Sequence, residues 1–200
     1  MIEGNSNIIP LFPLNIVLLP NEKIQLHIFE DRYKRMVRSS IDDDTPFGII
    51  LKTKNFKTSI GCTAKVVRID NEYYTGEIDI VIEGLERFKV HNKYKINGLW
   101  HAEVDLISSL PLHNNDDKIV LSSVQEKYIK VLMLSGDNDL SDDIDHSISY
   151  NFSSKILLPL SIKQALIETH SEKKRLEILD DLFDRVIDKI DPSEVTKVKN

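Results

Sequence analysis

The densest run of potentially reactive side chains is Leu26-His-Ile-Phe-Glu-Asp-Arg-Tyr33, which sets an imidazole, two carboxylates, a guanidinium and a phenol within eight residues. A histidine beside carboxylates is the usual equipment for general acid–base work, but only when the groups converge in space. Zinc hydrolysis needs two imidazoles one helical turn apart, as in His-Glu-x-x-His. His27-Ile-Phe-Glu30 offers one imidazole and one carboxylate, and on a strand His27 and Glu30 point to opposite faces. No Gly-x-x-x-x-Gly-Lys-Ser/Thr, Gly-x-Gly-x-x-Gly or Gly-x-Ser-x-Gly occurs, and there are only 7 glycines with which to wrap a phosphate or set a nucleophile on a sharp turn. His27, His91, His101, His113, His146 and His170 are scattered. Cys62, the sole cysteine, sits in the strand-like Ile60-Gly-Cys-Thr-Ala-Lys-Val-Val67 and is expected to be a small buried residue. The chain is therefore expected to be non-catalytic, with no cofactor and no metal site.

The elements that would position these residues fall into two parts, expected at 1–107 and 108–200. Segments 47–51, 60–69, 77–82, 88–90 and 100–106 are short and alternating or β-branched, separated by turn signals at Asp70-Asn71, Gly84 and Asn97-Gly98. Within this β-rich part, Tyr33, Met36, Val37 and Ile41 recur at helical spacing, which predicts one inserted helix over 31–41. From Leu110-Pro-Leu-His onward the period is helical: Leu121, Val124, Tyr128, Val131 and Leu132 make one stripe. Leu176, Leu179, Leu182, Phe183, Val186, Ile187 and Ile190 make another, each read as a core face. Ser161-Ile-Lys-Gln164 and Thr169-His-Ser-Glu172 read as capping boxes opening the last two helices. Between the stripes, the acidic segment 135–145 reads as an exposed connection, since its carboxylates lack the ligand order of a calcium loop.

The 200 residues are 41% hydrophobic and 29% charged, an ordinary globular balance. The formal charge of −6 is uneven: 14 Lys plus Arg against 15 Asp plus Glu in 1–107, and 12 against 17 thereafter. Neither part is basic overall, so nucleic-acid binding through a broad basic surface is disfavoured and only a local basic patch remains open. No apolar run reaches the ~20 residues of a spanning helix, and the amino terminus lacks a secretory pattern, so no membrane association and a cytoplasmic location are expected.

Several stretches in order carry a resemblance: Ile9-Pro-Leu-Phe-Pro-Leu14, Val17-Leu-Leu-Pro20, Leu26 to Tyr33 with Met36-Val37, Phe47-Gly48, Ile60-Gly61 with Ala64, and Glu83-Gly-Leu-Glu-Arg-Phe88. Together they resemble the amino-terminal, substrate-binding domain of Lon proteases over about the first 107 residues. Leu158-Pro-Leu, Ala165-Leu-Ile-Glu-Thr169 and Arg175-Leu-Glu-Ile-Leu179 resemble the helical region that follows it. The resemblance implies an α+β fold, a small PUA-like β-barrel with an inserted helix and then a helical subdomain. It also implies a module that contacts unfolded or client polypeptides, as a proteolysis adaptor or with a protease or chaperone. The family's ATPase module and Ser-Lys protease domain have no counterpart in these residues, so no catalytic residue carries over. The chain looks like the stand-alone proteins built of that domain alone.

Two sets of residues are candidate contacts. Asn15-Ile-Val-Leu-Leu-Pro-Asn21 holds consecutive apolar residues that alternation would bury only in part, so Ile16, Leu18 or Leu19 is the candidate to stay exposed and touch unfolded protein, against the alternative that all pack in the barrel. PUA-like barrels elsewhere bind RNA, which makes Arg32, Lys34, Arg35 and Arg38 on the inserted helix, or Lys52, Lys54 and Lys57, the alternative contacts. A small-molecule enzyme is the third class and would need a deep pocket with converging polar groups. The opening stretch itself is expected to be a strand-to-helix junction. In it Leu26 and Ile28 share the inner strand face, Glu30 and Asp31 sit at the helix start, Arg32 meets a nearby carboxylate, and His27 faces outward.

Overall fold

The computed structural model of the protein describes residues 7–53, 59–112, 115–135 and 148–189. The acidic segment from 136 on, Lys54, Lys57, His113, His146 and Ile190 lie outside them. The chain divides into two compact units. The first contains the described residues up to Ser108 and the returning segment Ser153–Glu168; the second contains Ser109–Phe152 and the described residues from Thr169 on.

In the first unit the strands are β1 (Asn7–Leu14), β2 (Lys23–Ile28), β3 (Phe47–Leu51), β4 (Ile60–Glu72), β5 (Ile78–Ile96) and β6 (Leu99–Leu106), with helix α1 (Asp31–Asp42) between β2 and β3. The fold is α+β. The strand order is β2-β5-β4-β3-β1-β6, and β5 also pairs with β6, so β5, β4, β3, β1 and β6 form a closed circuit from which β2 projects. β1 and β3 run parallel and the remaining pairs are antiparallel. Inward residues Ile9, Leu11, Ile50, Phe88, Ala102 and Val104 fill one core cluster, against which Val90 and Trp100 pack.

The expected strands 77–82 and 88–90 are one strand, because Gly84 continues β5 rather than turning it. Its missing side chain serves a close approach: a Cβ there would stand 2.1 Å from the Leu19 carbonyl oxygen. The amide of Asn21 donates to the Gly84 carbonyl and the Gly84 amide to the Glu22 carbonyl, both at 2.9 Å. Asp70-Asn71 likewise lies within β4, where irregular register absorbs it. Asn97-Gly98 is the turn expected, with both residues at positive φ (50° and 81°), the geometry that suits a two-residue hairpin.

Helix α4 (Leu160–Glu168) belongs to this first unit and buries Leu166 and Ile167. Arg87, with only 2% of its surface exposed, donates to the Ile167 carbonyl at 3.0 Å and the Ser108 carbonyl at 3.3 Å. Lys163 pairs with Glu22, whose carboxylate also accepts from the Leu19 amide at 3.0 Å. The predicted cap at Ser161 is not the helix start, because the Ile162 and Lys163 amides bond back to the Pro159 carbonyl, which starts the helix ahead of Ser161.

The second unit centres on α2 (Asn115–Ser135) and α5 (Glu172–Lys189), together with most of α3 (Ile148–Ser154). Val124, Tyr128, Val131 and Leu132 from α2 and Leu176, Leu179 and Phe183 from α5 are buried. Tyr128 packs against Phe152 and Phe183, with centroids 4.6 and 6.2 Å away. Lys127 bridges Asp180 at 2.9 Å and Asp184 at 2.6 Å. The start of α5 is also displaced from expectation. Ser171, not Thr169, sits at the cap, with its hydroxyl accepting from the Lys174 amide at 3.4 Å. Glu172 instead turns inward, accepting from the Ser149 amide at 2.7 Å and pairing with the fully buried Arg175, whose guanidinium also reaches the Thr169 carbonyl at 2.7 Å. A buried ion pair survives because its remaining donors are satisfied in this way.

Candidate functional site

The strand-to-helix junction at 26–33 has the expected arrangement. β2 alternates, with Ile28 buried and His27 outward, and α1 begins at Asp31 with Tyr33, Met36 and Val37 buried. Asp31, in the first helical turn where negative charge offsets the dipole, pairs with Lys34 at 2.7 Å, and that hydrogen bond lowers its pKa. Arg32 pairs with Glu30 at 2.6 Å, donates to the Gly98 carbonyl at 3.2 Å, and lies 4.7 Å from the centre of the Tyr33 ring.

This junction forms one wall of an open cleft of about 400 Å³. β1 contributes Phe12 and Leu14, the junction contributes His27, Phe29, Arg32 and Tyr33, and the β5–β6 hairpin contributes Lys95 and Trp100. Phe12 stacks on Tyr33 with centroids 4.0 Å apart, which fixes the aromatic floor. Lys95 and Trp100 are cross-strand partners, and the ammonium lies 4.7 Å from the Trp100 ring centre. Phe29 remains 60% exposed at the rim. Arg32 Nε is buried without an acceptor among the described residues, an unusual state for a charged donor. The charged lining is Glu30, Arg32, Lys52 and Lys95, so the cleft is net positive.

At the rim, His27 Nδ1 lies 2.7 Å from Asp79 Oδ1, its cross-strand partner. Asp79 Oδ2 accepts from the Tyr73 hydroxyl at 2.7 Å and from Asn71 at 3.1 Å. The His27 hydrogen bond, followed by those of Tyr73 and Asn71, holds the Asp79 carboxyl below the usual carboxylate range. The carboxylate thus orients the His27 and Tyr73 rings, 5.9 Å apart, and the Phe29 ring stacks 6.1 Å from that of His27.

The loop expected to carry exposed apolar side chains is largely closed. Leu18 is 1% exposed and Leu19 is fully buried, a correction to the expectation for both. The physical reason is the clamp from Gly84, Glu22 and Lys163, which draws the loop backbone against β5. Ile16 alone of the three keeps partial exposure, one residue from the cleft-lining Asn15. On α1, Lys34 is engaged by Asp31, Arg32 by Glu30 and Arg38 by Glu72 at 3.7 Å, while Arg35 is exposed beside a second cleft of about 320 Å³. Of the alternative lysines, Lys52 lines the first cleft. Cys62 is fully buried and burial pushes its thiol pKa up, which is the opposite of an activated nucleophile. Among the described residues no three His, Cys, Asp or Glu are grouped to hold a metal ion, and no helix is long and apolar enough to cross a membrane.

The family model described as the ATP-dependent protease La (LON) substrate-binding domain matches residues 8–185. The chain belongs to that family. A Lon protease of Cytophaga hutchinsonii is 26% identical over 204 residues, covering 92% of this chain and 25% of that protein. The chain thus spans about a quarter of the length of the curated Lon relatives it matches. Two solved structures share the fold: a Lon N-terminal domain protein from Xanthomonas campestris (TM-score 0.66, 23% identity, 86% of this chain and 96% of that one) and the N-terminal domain of a Mycobacterium avium complex Lon protease (TM-score 0.70, 15% identity, 89% and 98%). Within a LON substrate-binding domain, the residues that sequence reasoning passed over are Phe12, Phe29, Lys95 and Trp100. Phe29 was within reach, since inward Ile24, Leu26 and Ile28 put the next residue outward.

Proposed function

We propose that the chain is a non-catalytic module that binds unfolded or client polypeptide through the Phe12–Tyr33–Trp100 cleft, with Phe29 and Ile16 at its rim. The observation that carries the reading is an open aromatic cleft with a largely exposed phenylalanine, in a chain whose family is defined by substrate binding. Such a cleft suits a bulky apolar side chain. The role extends to that of an adaptor delivering clients to a protease or chaperone. RNA binding has weaker support, because Arg32, Lys34 and Arg38 each face a carboxylate.

The test is binding of reduced, carboxymethylated α-lactalbumin, read by fluorescence anisotropy. Covering an exposed Phe is worth about 1.5–3 kcal/mol, so Phe29→Asp is expected to weaken binding by roughly 10- to 100-fold. Trp100→Ala is expected to act in the same direction. Unchanged affinity in Phe29→Asp, with the fold intact by circular dichroism, refutes the reading.

A further inference from the structure

β2 pairs with β5 and with no other described strand. Its six residues face β5 in unbroken register, from Lys23 opposite Glu83 to Ile28 opposite Ile78, with neither a bulge nor a proline to blunt the outer side. The phase of the ladder is fixed at one end. The Gly84 amide donates to the Glu22 carbonyl, so residue 22 and then 24, 26 and 28 turn their backbone groups toward β5. Lys23, Gln25 and His27 occupy the intervening non-hydrogen-bonded positions. Two side-chain contacts agree with this phase, since Lys23–Glu83 at 3.7 Å and His27–Asp79 at 2.7 Å are both directly opposite pairs, where side chains approach most closely. The N–H and C=O groups of Lys23, Gln25 and His27 consequently face away from β5. None of the hydrogen bonds of the described residues engages them.

The edge is continuous with the cleft, because His27 and Ile28, its last residues, are also cleft wall. Along it, half-buried Ile24 and Leu26 present apolar surface on one face and Lys23 and Gln25 polar surface on the other. We infer that an extended segment of an unfolded polypeptide adds to β2 as a further strand, bonding to the backbone of Lys23, Gln25 and His27 and lodging an apolar side chain in the cleft. This rests on the polypeptide-binding reading and supplies what it lacks: main-chain bonds tolerate any sequence, and alternate side chains select apolar segments. The ligand class is therefore a chain able to go extended with alternating apolar residues, rather than a folded surface or a helix.

Two measurements separate strand addition from cleft binding alone. Gln25→Pro removes one outward N–H while leaving the inward ladder intact, a substitution that an edge strand accepts. It is expected to lower affinity for carboxymethylated α-lactalbumin by about tenfold or more, whereas Gln25→Ala stays within about twofold. The second measurement needs no variant and so decides the matter if Gln25→Pro misfolds. An eight-residue peptide of alternating threonine and valine with one central phenylalanine is compared with two versions, N-methylated on one or the other set of alternate residues. Only one set faces β2 in the bound strand, so one version is expected to lose binding and the other to retain it. Equal behaviour of the two versions overturns the inference, as does failure of the parent peptide to bind. So does a concentration-dependent dimer in sedimentation that Gln25→Pro dissolves, since the edge then serves a second copy. If lactalbumin still binds and Phe29→Asp still weakens it, the cleft reading stands without strand addition; if lactalbumin does not bind at all, the cleft reading fails first.

Discussion

Replacing Gly84 by alanine sets a general rule against a specific contact. In a strand interior, glycine to alanine ordinarily stabilises by about 0.5–1 kcal/mol, because the unfolded chain loses freedom. Here the new methyl would sit 2.1 Å from the Leu19 carbonyl oxygen and 3.0 Å from its carbon, both backbone atoms that cannot rotate aside. The loop must withdraw by more than an ångström, which breaks or stretches the Asn21–Gly84 and Gly84–Glu22 hydrogen bonds. At about 0.5–1.5 kcal/mol each, with about 1–3 kcal/mol of overpacking, the loss outweighs the entropic gain and leaves about 1–5 kcal/mol of destabilisation. Trp100 is the only tryptophan and lies in the same unit, so its fluorescence during urea unfolding reports that unit alone. With a urea dependence of about 2 kcal/mol per molar, the midpoint is expected to fall by about 0.5–2.5 M. Hydrogen exchange is expected to show lost protection at the amides of residues 21 and 84. A midpoint that is unchanged or higher refutes the claim that Leu19 requires a glycine at this position.

Two further substitutions probe the scaffold and the rim. Arg87→Met keeps most of the buried volume but leaves the Ile167 and Ser108 carbonyls without their donor, so a loss of about 2–5 kcal/mol is expected in the same fluorescence assay; a change under about 0.5 kcal/mol contradicts the tether. The Asp79 carboxyl, held low chiefly by His27, contributes stability that is present above the unfolded carboxylate pKa of about 3.9 and is lost as pH falls through its lower folded value. Asp79→Asn is therefore expected to be less stable than wild type near neutrality, with the difference shrinking in acid, by urea unfolding across pH; a pH-independent difference argues against the linkage.

What could be read from the sequence followed the range of the forces involved. Helix α1 and the 97–98 turn depend on neighbours a few residues away, and both have the positions expected. Gly84 carries a turn signal in the sequence but continues a strand, because glycine's local meaning, freedom of φ, is not its meaning here; the cause is a carbonyl 65 residues away in sequence. The same contact explains the misjudged loop. Counting apolar residues from 16 to 20 showed that one face could not hold them all, but Leu18 and Leu19 are buried on a clamp whose members come from β5 and α4. The capping assignments failed for a related reason. Ser-x-x-Gln and Thr-x-x-Glu are local patterns, and Glu172 was drawn instead to Arg175 and Ser149 inside the second unit.

The cleft sits between these extremes, since each wall obeys a local rule while their meeting does not. A two-residue turn at 97–98 fixes Lys95 opposite Trp100, and Phe29 follows directly on the buried Ile28 that ends β2. Only the closing of β5 onto β6 and of β6 onto β1 brings that hairpin to Phe12, and only the entry of α1 brings Tyr33 onto Phe12. It follows that His27, Glu30 and Arg32 lie together without sharing a chemical task. Asp79 engages the imidazole, Arg32 engages Glu30, and the buried Nε of the guanidinium has no acceptor among the described residues. These pairings hold the wall of the cleft in position. In three dimensions the stretch 26–33 supplies an oriented rim and part of an aromatic floor, beside which β2 sets a row of backbone groups facing outward.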